Sequence, residues 1–196
     1  MSELKAAKKL LRTKIGAIVS ALSDAELQNQ TNKIESKIFG ADWFEQSQRI
    51  SVFVSTKGEI ITDNIIKKAL EMKKDVFIPR FKKGATDMEM LKLESLEEFT
   101  NLQPTLWGIR QQSLDSEAES FHLSGPLDLV LTPSVAFTPE GKRLGHGKGF
   151  YDRFFASHQK LFNKMPLKVG LGLKEQIIDD LPVSEYDVLM DVVISP

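Results

Sequence analysis

The chain has 196 residues, 41% hydrophobic and 27% charged, the balance of a soluble globular domain able to bury about 70% of its unfolded surface. Lys plus Arg number 26 against 27 Asp plus Glu, and a net charge of -1 supplies no overall attraction to nucleic acid or an anionic membrane, so any anion site must be local. The absence of cysteine excludes disulfides, thiolate nucleophiles and Cys-based metal centres, while His122, His146 and His158 are scattered rather than clustered.

Leu4, Ala7, Leu11, Ile15, Ile18 and Leu22 recur every three or four residues and predict an amphipathic helix over 3–22, with Lys5, Lys8, Lys9 and Arg12 on its other side. Ser23 and Glu26 have capping-box spacing, so a second helix is expected to run to Phe39 and stop at Gly40. The β-branched run from Ile50 to Val54 reads as a strand, and Thr62 can cap a helix running to Lys73. A strand from Val76 to Ile78, closed by Pro79, completes a crossover unit whose two strands should be parallel.

Residues 86–124 carry weaker signals: a possible strand from Met88 to Leu93, a helical turn from Leu96 to Phe99, and a polar loop from Ser113 to Ser124. Leu127–Leu131 reads as a buried strand, followed by a helix from Phe150 to Phe162 and strands at Leu167–Leu173 and Val192–Ile194. No linker, repeat or low-complexity tract divides the chain, and residues 1–196 are expected to form a single three-layer α/β domain with a mostly parallel central sheet flanked by helices. Ligands of such sheets gather at the carboxyl ends of the strands, which directs attention to the loops after Val54, Ile78 and Leu131. No stretch approaches the ~20 apolar residues of a membrane span, and no charge-free apolar leader opens the sequence, so a cytoplasmic location is expected.

Residues 138–153 concentrate four of the 12 glycines and four basic side chains. Gly145, Gly147 and Gly149 alternate directly before a helix, so backbone amides, a helix N-terminus, Arg143 and Lys148 can together form a phosphate cradle. A flexible basic turn is the alternative. The spacing matches neither the P-loop nor the dinucleotide fingerprint. Asp152 lies in the first turn of the helix, where it could stabilise the helix end or hold Mg2+ beside a polyphosphate.

Six segments in order resemble the 5-formyltetrahydrofolate cyclo-ligase (methenyltetrahydrofolate synthetase) family. They are Lys8-Lys9-Leu10-Leu11-Arg12, Val54-Ser55 through Glu59-Ile60, Phe77-Ile78-Pro79-Arg80, the run Arg143-Leu144-Gly145-His146-Gly147-Lys148-Gly149-Phe150-Tyr151-Asp152, Lys174-Glu175-Gln176, and Leu181 through Asp187. Gln112 stands where the family often has Pro, and His146 and Phe150 where relatives also have Arg or Tyr. The resemblance implies ATP-dependent closure of 5-formyltetrahydrofolate to 5,10-methenyltetrahydrofolate, by phosphorylation of the formyl oxygen and attack of N10.

On that resemblance, Lys148 and Arg143 are the expected catalytic residues. The nucleotide would be held by the Lys8–Arg12 segment and by residues 143–151. Val54, Glu59 and Tyr151 would contact the folate, Glu59 through the hydrogen-bond donors of the pterin. Asp152 and Asp187 would hold Mg2+, and Trp107 or Tyr151 could stack on a ring, Tyr151 being favoured. The helically spaced Phe154, Phe155 and Phe162 read as core. A monomer acting on a small molecule, with no nucleic-acid or membrane partner, is expected. A sugar-phosphate isomerase and a non-catalytic nucleotide- or RNA-binding module are the rival readings.

Overall fold

The computed structural model describes residues 3–196. Helices α1 (Glu3–Ser20), α2 (Asp24–Phe39) and the short α3 (Asp42–Gln46) lead into β1 (Arg49–Val52); α4 (Asp63–Glu71), β2 (Asp75–Arg80), β3 (Glu89–Lys92) and α5 (Leu96–Asn101) follow. The short β4 (Gln103–Pro104) and β5 (Arg110–Gln111) flank a 3₁₀ turn at Leu106–Gly108, before α6 (Phe121–Ser124) and β6 (Leu129–Thr132). A hairpin of β7 (Ala136–Phe137) and β8 (Arg143–Leu144) precedes α7 (Phe150–Phe162), β9 (Leu167–Leu171) and β10 (Val192–Ile194).

The six-stranded sheet has the order β10-β9-β6-β1-β2-β3, and every neighbouring pair is parallel except β2–β3. Alternation along the strands builds a core on each face. Ile50, Val52, Val76, Ile78, Leu129 and Leu131 pack with Ile34, Ile38 and Phe44 on one side. Phe77 and Val130 pack with Phe121, Phe154 and Phe155 of α6 and α7 on the other. The expected three-layer α/β class is therefore the observed one, and the crossover strands β1 and β2 are parallel as expected.

Several local expectations change in detail. Ser23 accepts from the Glu26 amide, but the Glu26 carboxylate binds Gln30 rather than closing the box. Thr62 occupies the N-cap position of α4 without capping it; its hydroxyl donates to the Phe53 carbonyl at 2.6 Å and accepts from the Ser55 amide, pinning the end of β1 to the start of the helix. Pro79 lies inside β2 instead of closing it. Pairing with β1 ends at Ser51 and Phe77, so the missing N–H breaks no ladder on that side, and β3 carries the strand on to Arg80. Gln112 is buried, and its amide donates to the Lys92 carbonyl and the Glu98 carboxylate, tying its loop to β3 and α5.

His158 anchors the end of α7. Fully buried, it accepts from the Leu127 amide through Nε2 at 2.9 Å and donates through Nδ1 to the Lys164 carbonyl at 2.8 Å, with its ring parallel to Phe121. Burial holds this imidazole below its ordinary value. The unfolded chain therefore takes up a proton near pH 6.5 that the folded chain refuses, so the contribution of His158 is complete above that pH and is lost as the pH falls through the folded value. The melting temperature should drop on going from about pH 7.5 to about pH 5.5, and His158→Gln should start lower but drop less. Equal drops in calorimetry would show that His158 does not carry the effect.

Candidate active site

Strand order reverses between β1 and β6, since the chain leaves β1 toward β2 and returns on the other side of β1 at β6. A crevice opens at such a switch point beyond the carboxyl ends of the strands. Here it is a cavity of 710 Å³, lined by Phe53, Val54, Thr56 and Glu59 after β1, Pro79 and Phe81 from the end of β2, Pro133 after β6, and the whole run from Arg143 to Asp152. Lys8 and Arg12 of α1, with Ser184 and Asp187, close one side.

The glycine loop runs from β8 into α7. Gly147 (φ +95°) and Gly149 (φ +67°) adopt left-handed conformations that favour glycine, and Gly149 is the N-cap of α7. A Cβ on Gly147 would lie 3.3 Å from the Arg12 guanidinium carbon, so the loop and α1 meet closely here. Arg12 also donates from Nε to the Gly145 carbonyl at 2.8 Å. Its first task is thus to hold the loop against α1. Lys148 lines the cavity and makes no ion pair among the described residues, leaving its charge available to an anion.

Two carboxylates face that loop. Asp152 Oδ1 accepts from Arg143 at 2.5 Å and from the Val188 amide at 3.1 Å. Asp187 Oδ2 accepts from Lys8 and from the amide and hydroxyl of Ser184. Burial alone would favour the neutral acid at Asp187, but the hydrogen bonds from Lys8 and Ser184 hold its carboxyl below the usual range. The Val188 bond brings the two acids together from separate parts of the chain. No group of three metal-binding side chains occurs among the described residues. Two neighbouring carboxylates beside an anion cradle nevertheless suit Mg2+, which takes one or two protein carboxylates and fills its remaining positions with water and phosphate oxygen.

Arg143 is only 5% exposed, tied to Asp152 and lying over the Tyr151 ring. Its Nε and the Tyr151 hydroxyl are both buried without a hydrogen-bond partner among the described residues. Each such group costs about 1–3 kcal/mol unless something polar meets it, and both belong to side chains that line the cavity. Burial, reinforced by the Glu59 charge, pushes the Tyr151 phenol well up, so it is a hydrogen-bond donor and not a phenolate.

Glu59 closes a turn stabilised by Gly58 at φ +86°; its Oε2 accepts from the Thr56 amide at 2.7 Å and the Thr56 hydroxyl at 2.8 Å. Burial raises its carboxyl, while Thr56 and then His146 pull it back.

Among the sequence-derived candidates, Lys8, Arg12, Val54, Glu59, residues 143–151, Asp152 and Asp187 all line one cavity. Lys9 and Leu10 do not; Leu10 is 73% exposed, and Leu11 packs beside Ile15 beneath α1. Tyr151 is buried, whereas Trp107 is 55% exposed and clusters with Phe81 and Phe150 at ring distances of 5.1–6.1 Å. Phe81 was not singled out in the sequence, although its place after the β2 carboxyl end was the signal for it. Phe154 and Phe155 are core, as their spacing implied.

Fold and cavity together define an α/β protein with a site of small-molecule size at the switch point of its sheet, and no helix among the described residues is long and apolar enough to cross a membrane. Residues 4–196 match the model of the 5-formyltetrahydrofolate cyclo-ligase family. The chain is 51% identical over 195 residues to a probable 5-formyltetrahydrofolate cyclo-ligase of Caenorhabditis elegans, covering 99% of this chain and 95% of the relative. It is 34% identical to the Mus musculus 5-formyltetrahydrofolate cyclo-ligase, over 97% of this chain and 94% of the relative. The solved Aquifex aeolicus 5,10-methenyltetrahydrofolate synthetase superimposes with a TM-score of 0.75 at 28% identity, covering 95% of this chain and 88% of that one. The chain belongs to the 5-formyltetrahydrofolate cyclo-ligase family, whose members are ligases.

Proposed function

We propose that this chain converts 5-formyltetrahydrofolate to 5,10-methenyltetrahydrofolate at the expense of ATP. The formyl oxygen attacks the γ-phosphorus and ADP leaves, turning an unreactive amide oxygen into a phosphate leaving group. N10 then attacks the formyl carbon, its proton is lost, and the C–O bond breaks to release phosphate and leave the N5–CH–N10 cation. Such chemistry asks a protein chiefly for positioning and charge neutralisation.

The observation that carries this reading is the unpaired Lys148 on a left-handed glycine loop that opens α7 in the same cavity as the buried acceptor Glu59. Loop amides and the α7 N-terminus suit phosphate oxygens, Lys148 suits the group in transfer, and Arg143 and Lys8 add charge beside it. Asp152 and Asp187 would hold Mg2+, which when bound neutralises the phosphate oxygens. Glu59 would accept from the ring N–H and amino groups of the pterin, with Val54 and Tyr151 beside it. All of these groups come from one chain, so a monomer suffices.

Methenyl product should appear spectrophotometrically only with both substrates, with one ADP per product. ATP-independent turnover of a sugar phosphate would favour an isomerase, and nucleotide binding without turnover a binding module. Glu59→Gln should raise the folate KM by about tenfold or more while moving the ATP KM little, since a site built to accept polar donors loses discrimination when its acceptor changes. Equal changes in both constants would remove Glu59 from pterin recognition.

A further inference from the structure

Among the described residues, the carboxylates that line the cavity are Glu59, Asp152 and Asp187, and each faces a different basic side chain. Asp152 is tied to Arg143 and Asp187 to Lys8, both at 2.5 Å, so the phosphate side is neutralised by groups that stay charged across the physiological range. Glu59 instead faces His146, with Nε2 3.9 Å from Oε1. A histidine changes charge near neutral pH, which makes this pair unlike the other two.

We propose that His146 is a positioning residue that keeps Glu59 an anion, so that the pterin half of the cavity answers to pH while the phosphate half does not. The inference rests on the reading of Glu59 as the pterin acceptor. The geometry supports the division. Glu59 Oε2 is filled by the two Thr56 donors, and its other oxygen is the one turned to His146. The glutamate side chain is 16% exposed and the imidazole 69%, so one end of the pair is desolvated and the other exchanges protons freely with water. Both residues also line an adjoining cavity of 460 Å³, which places the pair at the junction of the two spaces.

The other charged or titratable groups around Glu59 do not replace His146. Arg12 of α1 is committed to the Gly145 carbonyl, Lys8 to Asp187 and Arg143 to Asp152. Lys148 lies on the same glycine loop and Lys57 on the turn of Glu59 itself, without an ion pair to it; Asp24 at the start of α2 lines the adjoining cavity, and the Tyr151 phenol of α7 stays neutral beside the Glu59 charge. As the pH falls, a buried carboxylate tends to protonate and so lose its capacity to accept from two donors. A positive charge on the neighbouring imidazole opposes that loss.

The test compares wild type with His146→Arg and His146→Gln, both folded on the strength of the exposure of that side chain, by measuring KM for each substrate from about pH 5.5 to 8.5. The folate KM should rise on the acid side in wild type. His146→Gln should move that rise toward neutrality by about half to one pH unit, giving a folate KM near pH 6 about three- to tenfold above wild type. His146→Arg should leave the rise at or below its wild-type position, and the ATP KM should stay within about twofold throughout. Superimposable folate profiles for wild type and His146→Gln, or parallel movement of the ATP KM, would overturn the proposal. Glu59→Gln separates the two levels. If it leaves the folate KM unchanged, the pterin reading fails and this inference falls with it. If it raises the folate KM while His146→Gln changes nothing, the inference alone fails.

Discussion

Lys148→Ala should lower turnover at saturating ATP by about 10²- to 10³-fold with little loss of thermal stability. The loop explains the size of the effect. Gly147 and Gly149 take left-handed conformations around Lys148, and no carboxylate among the described residues competes for its ammonium group. A fixed charge needs no reorganisation when a phosphoryl group is transferred, so its removal falls on kcat and not only on the ATP KM. Lys148→Arg should recover part of the loss, because it retains the charge but alters its reach. Near-normal kcat in Lys148→Ala would remove this residue from the chemistry.

Arg143→Met is expected to damage both stability and turnover, and the two effects can be separated. Arg143 is buried against Asp152, and removing one member of a buried pair costs about 3 kcal/mol because the remaining charge is left uncompensated. Asp152 also accepts from Val188, so the loop that carries Asp187 loosens with it. The double variant Arg143→Met with Asp152→Asn removes the orphaned charge yet keeps an acceptor for Val188. It should regain much of the denaturation midpoint while turnover stays about 10²-fold low. A single variant with wild-type stability would show that the pair is not what holds this corner together.

How far sequence reaches depends on the range of the forces involved. Helix α7 was readable to the residue because Phe150–Phe162 combines helical spacing with a glycine at its N-cap, both local signals. Ser23 and Gly40 bounded α2 for the same reason. Helix α3, five residues long, is too short to show a period, and β2 runs past Pro79 only because β3 pairs with it from beyond a loop. In the site, residue types were visible but partners were not. Arg12 lines the cavity and also holds Gly145 through Nε, and Arg143 lines it while paired with Asp152, partners that no local pattern announces. Lys9 and Leu10 share a motif with Lys8 but turn to solvent, since the face of α1 that meets the cavity carries Leu4, Lys5, Lys8 and Arg12.

The bond between Lys8 and Asp187 joins residues 179 positions apart, and the one between Arg12 and Gly145 spans 133. At about 5–20 residues per second, ribosomes would make the first partner of the longer bond roughly 10–35 s before the second. During that interval α1, which buries only Ile15, has little apolar surface to fasten it. A chain cut short before Asp187 would keep Lys8 on the wall of the cavity but lose the carboxylate that latches it there.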